Sequence, residues 1–260
     1  MFDNRNCVKL NRKLWEGGEQ LRILVVNDDG IRSPGIEALA RMAAQLGETY
    51  VVSPSEQCSG MSQKLTLFDE MALREERFPV PVAGAWSLGG APADCVKVAL
   101  AQVLDFMPDY VFSGVNDGWN VGYDIAYSGT IGACLEAVMN GIPAIAFSAK
   151  GWGDLEIAER YMPEIAMELM ERGQGRGEIW NVNFPGGPVS GLRGILHERF
   201  IAPMQLFESD FTARQHPEGH TLITQKGVPI GKGIAPDGSD IAAVLDGYIS
   251  IGKIKSTVMI

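Results

Sequence analysis

The chain has 260 residues, 46% of them hydrophobic, and a net charge of −10; that is enough sequence to bury one large core, with or without an appendage. The acidic balance argues against binding long nucleic acids, whose phosphates demand basic patches, but not against a mononucleotide. No apolar run approaches the ~18 residues needed to span a bilayer, which excludes a membrane span of helical type.

Residues 1–20 carry mixed charges and no apolar signal core, so they read as an N-terminal extension outside the fold and not as a secretory leader. The first element then comes at once. Leu21, Ile23, Leu24, Val25 and Val26 form a near-continuous apolar run, the pattern of a strand buried on both faces of a parallel sheet. Asn27, Asp28, Asp29 and Gly30 sit where that strand ends, which is where open α/β sheets bind ligands. Adjacent carboxylates there repel unless something positive lies between them, and no Lys or Arg intervenes before Arg32. A hard divalent cation is the simplest partner; two solvated turn carboxylates, one capping the next helix, are the plain alternative.

A second strand is predicted near 49–53, followed by the polar loop Ser55–Gly60, and a third near 109–113, opening into the Gly114–Gly122 loop. Both loops leave a parallel sheet on the side of the Asp pair, so Ser59 and Asn116 can converge on Asp28 and Asp29. Next, Tyr127-Ser128-Gly129-Thr130 precedes the helical spacing Ile131, Cys134, Leu135, Val138, Met139. Ser128 or Thr130 at that helix start would favour an anion, or simply cap the helix. A carboxylate pair facing an anion-seeking helix start suggests a metal facing a phosphate.

Further strands near 143–147 and 179–183 alternate with helical patterns near 35–46, 91–104, 129–140 and 155–171. That alternation is a doubly wound, mostly parallel, Rossmann-like α/β sheet, with a small β excursion expected within 64–88. After Asn183-Phe184-Pro185 the chain turns rich in Gly and Pro, with short β-like runs at 192–201, 220–224 and 247–254. The organisation is therefore an N-terminal extension over 1–20, an α/β core over 21–185 and a β-rich C-terminal appendage over 186–260. Gly247 to Lys253 has P-loop spacing but reads as a strand, and Gly173, Gly175 and Gly177 come after a helix, as a helix-terminating loop does. Cys7, Cys58, Cys95 and Cys134 match no zinc pattern, and a reducing cytoplasm is the default. His197, His216 and His220 all lie beyond residue 190, so no His-rich zinc site forms at the ends of the first three strands.

Five stretches taken in order carry a family resemblance: Asn27-Asp28-Asp29-Gly30 through Pro34-Gly35; Ser59-Gly60 with Leu65-Thr66; Pro92-Ala93-Asp94-Cys95-Val96; Ser113-Gly114-Val115-Asn116; and Tyr127-Ser128-Gly129-Thr130. Ser239 to Val244 and Gly247 to Ile251 add a C-terminal match, so that the chain resembles the SurE family over roughly residues 21–251. These are metal-dependent 5′/3′-nucleotidases, also called stationary-phase survival proteins. The resemblance implies one divalent ion per subunit held by Asp28, Asp29, Ser59 and Asn116, an all-oxygen set that suits Mg²⁺ or Mn²⁺. It implies a phosphate held by Ser128, Gly129 and Thr130 with Asn120 beside it, and hydrolysis of nucleoside 5′- and 3′-monophosphates with Asp28, Asp29 and Asn116 as the catalytic groups. In this family the C-terminal region reaches a partner subunit, which implies a homodimer or homotetramer. Departures fall at Lys64, Ala91, Ala93, Trp119 and Tyr123, none of them among the four ligands, and bear on substrate preference. A phospho-aspartate phosphotransferase is disfavoured because its carboxylates are typically spaced Asp-x-Asp; a non-catalytic metal-dependent nucleotide-binding module is the other alternative.

Overall fold

The computed structural model describes residues 20–151, 154–231 and 233–256; the expected extension over 1–20, apart from Gln20, and Cys7 with it, lies outside them. Strand β1 (Arg22–Val26) leads into helix α1 (Pro34–Leu46). Ser33 caps that helix through its Oγ and Pro34 fills the first helical position, where a missing N–H costs nothing. Strand β2 (Glu48–Pro54) follows, then β3 (Leu73–Glu75), β4 (Gly84–Leu88) and α2 (Pro92–Val98), which runs on as a π-helical turn over Ala99–Val103. Next come β5 (Tyr110–Asp117), α3 (Gly129–Met139), β6 (Ala144–Ala149), α4 (Glu156–Arg172) and β7 (Glu178–Phe184). The chain ends with β8 (Gly194–Leu196), β9 (Phe207–Gln215), β10 (Thr221–Pro229), α5 (Asp240–Leu245) and β11 (Tyr248–Lys255).

Nine strands form one sheet in the order β3-β4-β2-β1-β5-β6-β7-β11-β8. The six from β4 to β7 are parallel; β3 is antiparallel to β4, and β11 to β7. The expected doubly wound α/β fold is therefore present. The chain steps outward from β1 through β2 to β4, then returns to lay β5 against the other side of β1. That reversal is the topological switch point, and the carboxyl ends of β1 and β5 border the crevice it opens.

Both faces of the sheet are covered, as the apolar run in β1 requires. Ile23 and Val25 belong to one core with Ile36, Leu39 and Met42 of α1 and Ile157, Met162 and Ile165 of α4. Leu24 and Val26 point the other way, into Cys95 and Val96 of α2 and Ile131, Cys134 and Ala137 of α3. Alternate residues of one strand thus enter two cores.

Three expectations need adjustment. Residues 65–67, at the start of the expected 64–88 β excursion, form no strand. The β structure of that region is β3 and β4, which belong to the main sheet as one of its edges, not to a separate excursion. Past residue 186 the chain divides: β8 and β11 complete the other edge of the sheet, while β9 and β10 pair only with each other as an antiparallel hairpin. The boundary at 185/186 therefore marks a change in sequence character and not the end of the sheet. β9, too polar to stand out, had no counterpart among the sequence-derived strands. Among the described residues no helix is long and apolar enough to cross a membrane.

The first turn of α1 lies directly on β5. A Cβ on Gly35 would stand 2.0 Å from the carbonyl oxygen of Val115, a backbone atom that cannot swing away. Gly35→Ala should cost about 1–3 kcal/mol or more by overpacking, lowering the melting temperature by several degrees in thermal unfolding. Gly191→Ala, where nothing lies within 4 Å of the new Cβ, should leave it unchanged.

Candidate metal and phosphate centre

Asp28 and Asp29 come directly after β1 and are almost fully buried, at 3% and 8% exposure. Their loop is held from beneath by a buried polar knot. The Asn27 amide donates to the Gly30 carbonyl (3.1 Å) and to Ser33 Oγ (2.8 Å), while Ser53 Oγ donates to Asn27 Oδ1 (2.5 Å). The strands on either side of β1 staple their ends onto the same segment. On the β2 side, the N–H of Cys58 donates to the Asp28 carbonyl (2.6 Å) and that of Ile31 to the Pro54 carbonyl (2.9 Å). From the end of β5, the Asp117 N–H donates to Asp29 Oδ2 (2.9 Å).

The register of β5 against β6 shifts between Ser113 and Asn116, where two residues of β5 oppose one of β6. Gly114 makes this bulge, with φ of +131° and room for no side chain: a Cβ would stand 2.1 Å from the Phe147 carbonyl oxygen. Such a bulge re-aims the side chains beyond it. Asn116 thereby reaches a small cavity of about 20 Å³ lined by Asp29, Ser33, Gly35, Asn116 and Asp117. Its Nδ2 donates one proton to the Gly118 carbonyl (2.8 Å), and no hydrogen bond to its Oδ1 is formed among the described residues. Asn116 belongs to the end of the strand, not to the loop in which the sequence placed it.

The helix start is where the structure departs most from the expected roles. Ser128 caps α3, its Oγ accepting from the Ile131 N–H (3.1 Å). Thr130 Oγ donates to Asp28 Oδ1 (2.7 Å), and the Thr130 backbone also favours the charged form of that carboxyl. The anion sitting at this helix N-terminus is thus the protein's own Asp28. Gly129 is the residue that lets it approach: a Cβ there would meet Asp28 Cβ at 2.9 Å.

The electrostatics arise from this crowding. Burial, then the neighbouring charge of Asp29, pushes the Asp28 carboxyl up to about 6, against the hydrogen bonds from Thr130. Burial also raises Asp29, against the Asp117 N–H and the Gln57 amide. Asp117, half-buried beside them, is pushed up to about 6 by burial and then by Asp29. Asp29 Oδ1 is buried and has no hydrogen-bond partner. A buried orphan oxygen within a cluster of carboxyls that burial makes reluctant to ionise is an environment that a hard, oxygen-seeking divalent cation fits.

Asn120 is buried as well. Its Nδ2 donates to Ser148 Oγ (2.8 Å), its N–H to Asn183 Oδ1 (2.8 Å), and its carbonyl accepts from the side chains of Asn181 and Asn183. Ser59 is exposed, its Oγ accepting from Gln57 Nε2 (3.1 Å) one residue beyond the staple to Asp28. Trp119 donates its Nε1–H to the Phe184 carbonyl (2.7 Å) and packs against Val121, Leu206 and Ile241; it braces the loop.

Gln57, Asp117, Asn181 and Asn183 do not stand out in the sequence as site residues. For Asp117 a signal existed, since it is a third acidic residue placed directly after Asn116. The two asparagines of β7 are hidden inside an apolar strand.

Residues 23–203 match the family described as Survival protein SurE. The chain is 35% identical to a protein of Heliobacterium modesticaldum named 5′-nucleotidase SurE over 236 residues, 90% of this chain and 86% of that one. To the 5′-nucleotidase SurE of Moorella thermoacetica it is 36% identical, covering 88% of each chain. The crystal structure of the SurE protein from Aquifex aeolicus superposes with a TM-score of 0.76 at 32% identity, covering 90% of this chain and 93% of that one.

The raised Asp28 carboxyl has a consequence for stability. Its folded value of about 6 lies above the ordinary 3.8, so the native state holds the proton more tightly than the unfolded chain does. The resulting cost is absent below pH ~4, grows between pH ~4 and ~6 and is full above, on the order of 3 kcal/mol. In metal-free buffer, Asp28→Asn, which keeps an acceptor for Thr130, should therefore melt several degrees higher than the wild type at pH about 7.5. That gain should vanish near pH about 4. Added Mg²⁺ or Mn²⁺ should raise the wild-type melting temperature and leave the variant unmoved.

Proposed function

This chain belongs to the SurE family of survival proteins, and we propose that it is a metal-dependent 5′-nucleotidase, a phosphomonoesterase that hydrolyses nucleoside 5′- and 3′-monophosphates. The observation that carries the reading is the buried Asp28–Asp29 pair at the switch point, with an orphan carboxylate oxygen beside Asn116 and a helix start aimed at it. One divalent ion per subunit, Mg²⁺ or Mn²⁺, is assigned to Asp28, Asp29, Ser59 and Asn116. Bound there, it would supply Lewis-acid polarisation of the phosphate and lower the pKa of a water from ~16 toward neutrality.

The residues divide the remaining work. Asp28 and Asp29 hold the ion. Thr130 orients Asp28, because its hydroxyl proton is already given to Oδ1 and is not available to a phosphate. Ile131 N–H is taken by Ser128 and Thr130 N–H by Asp28, which leaves the N–H of Gly129 as the donor the turn offers to a phosphate oxygen. Asn116 lines the cavity with one amide proton tied to Gly118, and its Oδ1 would serve as the ligand atom. Asn120 has one amide proton beyond the one given to Ser148 and serves the equatorial oxygens with it. Asp117, beside Asp29 and more accessible, is placed to accept a proton from the attacking water. That water forms the new P–O bond as its proton passes to Asp117, the ester P–O bond breaks, and the leaving nucleoside oxygen takes up a proton from solvent to become the free hydroxyl.

The hairpin of β9 and β10 supports the assignment of a homodimer or homotetramer. It exposes Phe207, Phe211, Ile223 and Val228, and a lone two-stranded hairpin is marginal in water. The free thiols Cys58, Cys95 and Cys134 suit a cytoplasmic setting.

AMP hydrolysis should require Mg²⁺ or Mn²⁺ and fall by roughly a hundredfold or more in Asp29→Asn, with the fold intact by circular dichroism; metal-independent turnover would overturn the reading. Thr130→Val separates the two roles for Thr130. As an orienting residue its loss should raise the metal concentration for half-maximal activity about tenfold, while inhibition by inorganic phosphate at saturating metal stays near wild type. Weakened phosphate inhibition instead would return the hydroxyl to the substrate. For the assembly, Phe211→Glu with Ile223→Glu should lower the mass measured by light scattering to that of a smaller species; an unchanged mass would place the interface elsewhere.

A further inference from the structure

The turn that joins β9 to β10 holds metal-ligating side chains that have no part in the phosphatase site. Among the described residues, one group of three or more His, Cys, Asp or Glu side chains brings its ligand atoms within 4.8 Å of one another: His216, Glu218 and His220. The spacing His-x-Glu-x-His places them on a turn whose backbone is set. Pro217 fixes its own φ, Gly219 takes φ of +87°, its N–H donates to the His216 carbonyl (3.0 Å), and the His216 N–H donates to the His220 carbonyl (2.8 Å). This is a tight hairpin end with glycine in the left-handed position.

That backbone sends both imidazoles to the same side. Their rings stack with centroids 4.3 Å apart at an interplanar angle of 18°, and Glu218 Oε2 lies 3.8 Å from His216 Nδ1. The Glu218 N–H also donates to His216 Nδ1 (3.3 Å), so an ion takes the other ring nitrogen or displaces that bond, and the Glu218 carboxylate adds the negative charge a cation seeks. We propose that this hairpin tip is a second metal site, selective for a borderline transition ion of the zinc class and bound through His216, His220 and Glu218. Imidazole donors distinguish it from the all-oxygen centre at the switch point, which suits hard ions. A zinc ion at about 2.0–2.1 Å from each ligand needs donors roughly 3.3 Å apart. The three groups must therefore close by up to about 1.5 Å, within reach of side-chain rotation. Glu218 and His220 are exposed and His216 partly so, which leaves a coordination position open to water. Because His216 and His220 flank the turn, one on each strand side, a bound ion would also clamp the two strands together at their tip.

This site is independent of the nucleotidase centre, and the two can be assayed apart. Equilibrium dialysis of the full chain against Zn²⁺ in a large excess of Mg²⁺, which occupies the carboxylate centre, should show one Zn²⁺ per chain. The double variant His216→Gln/His220→Gln should lose that ion, with affinity down at least a hundredfold. His197→Gln, which removes the remaining histidine, should keep it. Zn²⁺ should also shift or broaden the ring C–H resonances of two histidines in the wild type, and Mg²⁺ alone should not. Glu218→Gln should weaken binding about tenfold. Mg²⁺-dependent AMP turnover of the double variant, equal to wild type, would certify its fold. Equal Zn²⁺ uptake by wild type and the double variant, or no uptake by either, would overturn the site and leave the cluster as a stacked pair with an ion-pair partner.

Discussion

Two adjacent carboxylates buried at the end of a central strand are an interaction that cannot be left alone, and the architecture is arranged around it. Desolvation and mutual repulsion together cost several kcal/mol unless opposed. The opposition comes from many directions. Asp29 receives the Asp117 N–H from the end of β5, Asp28 receives Thr130 from the start of α3, and the loop after β2 is stapled to the Asp28 carbonyl through Cys58. Each of these donors sits on a segment leaving the same side of the sheet, so the strand order β2-β1-β5 decides which segments can reach the pair. The compensation is incomplete, since Asp28 remains raised to about 6 and Asp29 Oδ1 is unpaired. What remains is a cluster of buried carboxyls whose charge the protein itself compensates only in part, the kind of setting a hard divalent ion fits.

Much of this was legible in the sequence because the strongest signals were local. The run Leu21 to Val26 announces a strand buried on both faces, and Asn27 to Gly30 announce where it ends. The alternation of apolar periods from 2 to 3.6 placed β1, β2, β5, β6, β7 and the helices between them close to where they lie. What stayed hidden depended on partners rather than on pattern. β4 is five residues long and shows its role only when β2 is beside it. β11 and β8 come after a long break in character, and only the vacant edge of β7 gathers them into the sheet. Within the site, a residue type predicted presence but not direction. Ser128 and Thr130 were expected to face a phosphate, yet one hydroxyl caps the helix and the other turns to Asp28. A hydroxyl with a choice of acceptors goes to the nearest buried charge, and that neighbour is not visible in a linear chain. The extra residue in β5 at Gly114 and Val115 likewise could not be foreseen. Nothing in Ser113 to Asn116 distinguishes a bulge from an ordinary strand end, although it is the bulge that aims Asn116.

The groups that hold Asn120 explain why the C-terminal part of the chain matters to chemistry on the other side of the sheet's midline. Asn120 is fixed at three atoms, by Ser148 on β6 and by Asn181 and Asn183 on β7. β7 would be an edge strand without β11, its backbone open to water on that side. The antiparallel pairing from Glu178–Lys255 to Asn183–Ser250 covers that edge. Asp240 completes the connection at the first turn of α5: its carboxylate accepts from Gly122 N–H (2.9 Å) and Ala202 N–H (2.9 Å), tying the loop after Asn120 to the C-terminal segment. Trp119 adds an apolar contact to the same tie. The geometry of the loop from Asn116 to Thr130 is thus held from both ends of the chain. Residues after 185 are therefore not an appendage as a whole, because only β9 and β10 stand off the sheet. Separation of labour within that region is set by burial: α5 and β11 are buried and serve the site, whereas the hairpin keeps nearly every side chain in solvent. An element so exposed contributes little to the stability of its own subunit, and its sequence is correspondingly free to carry contacts or ligands of a different chemistry from the core.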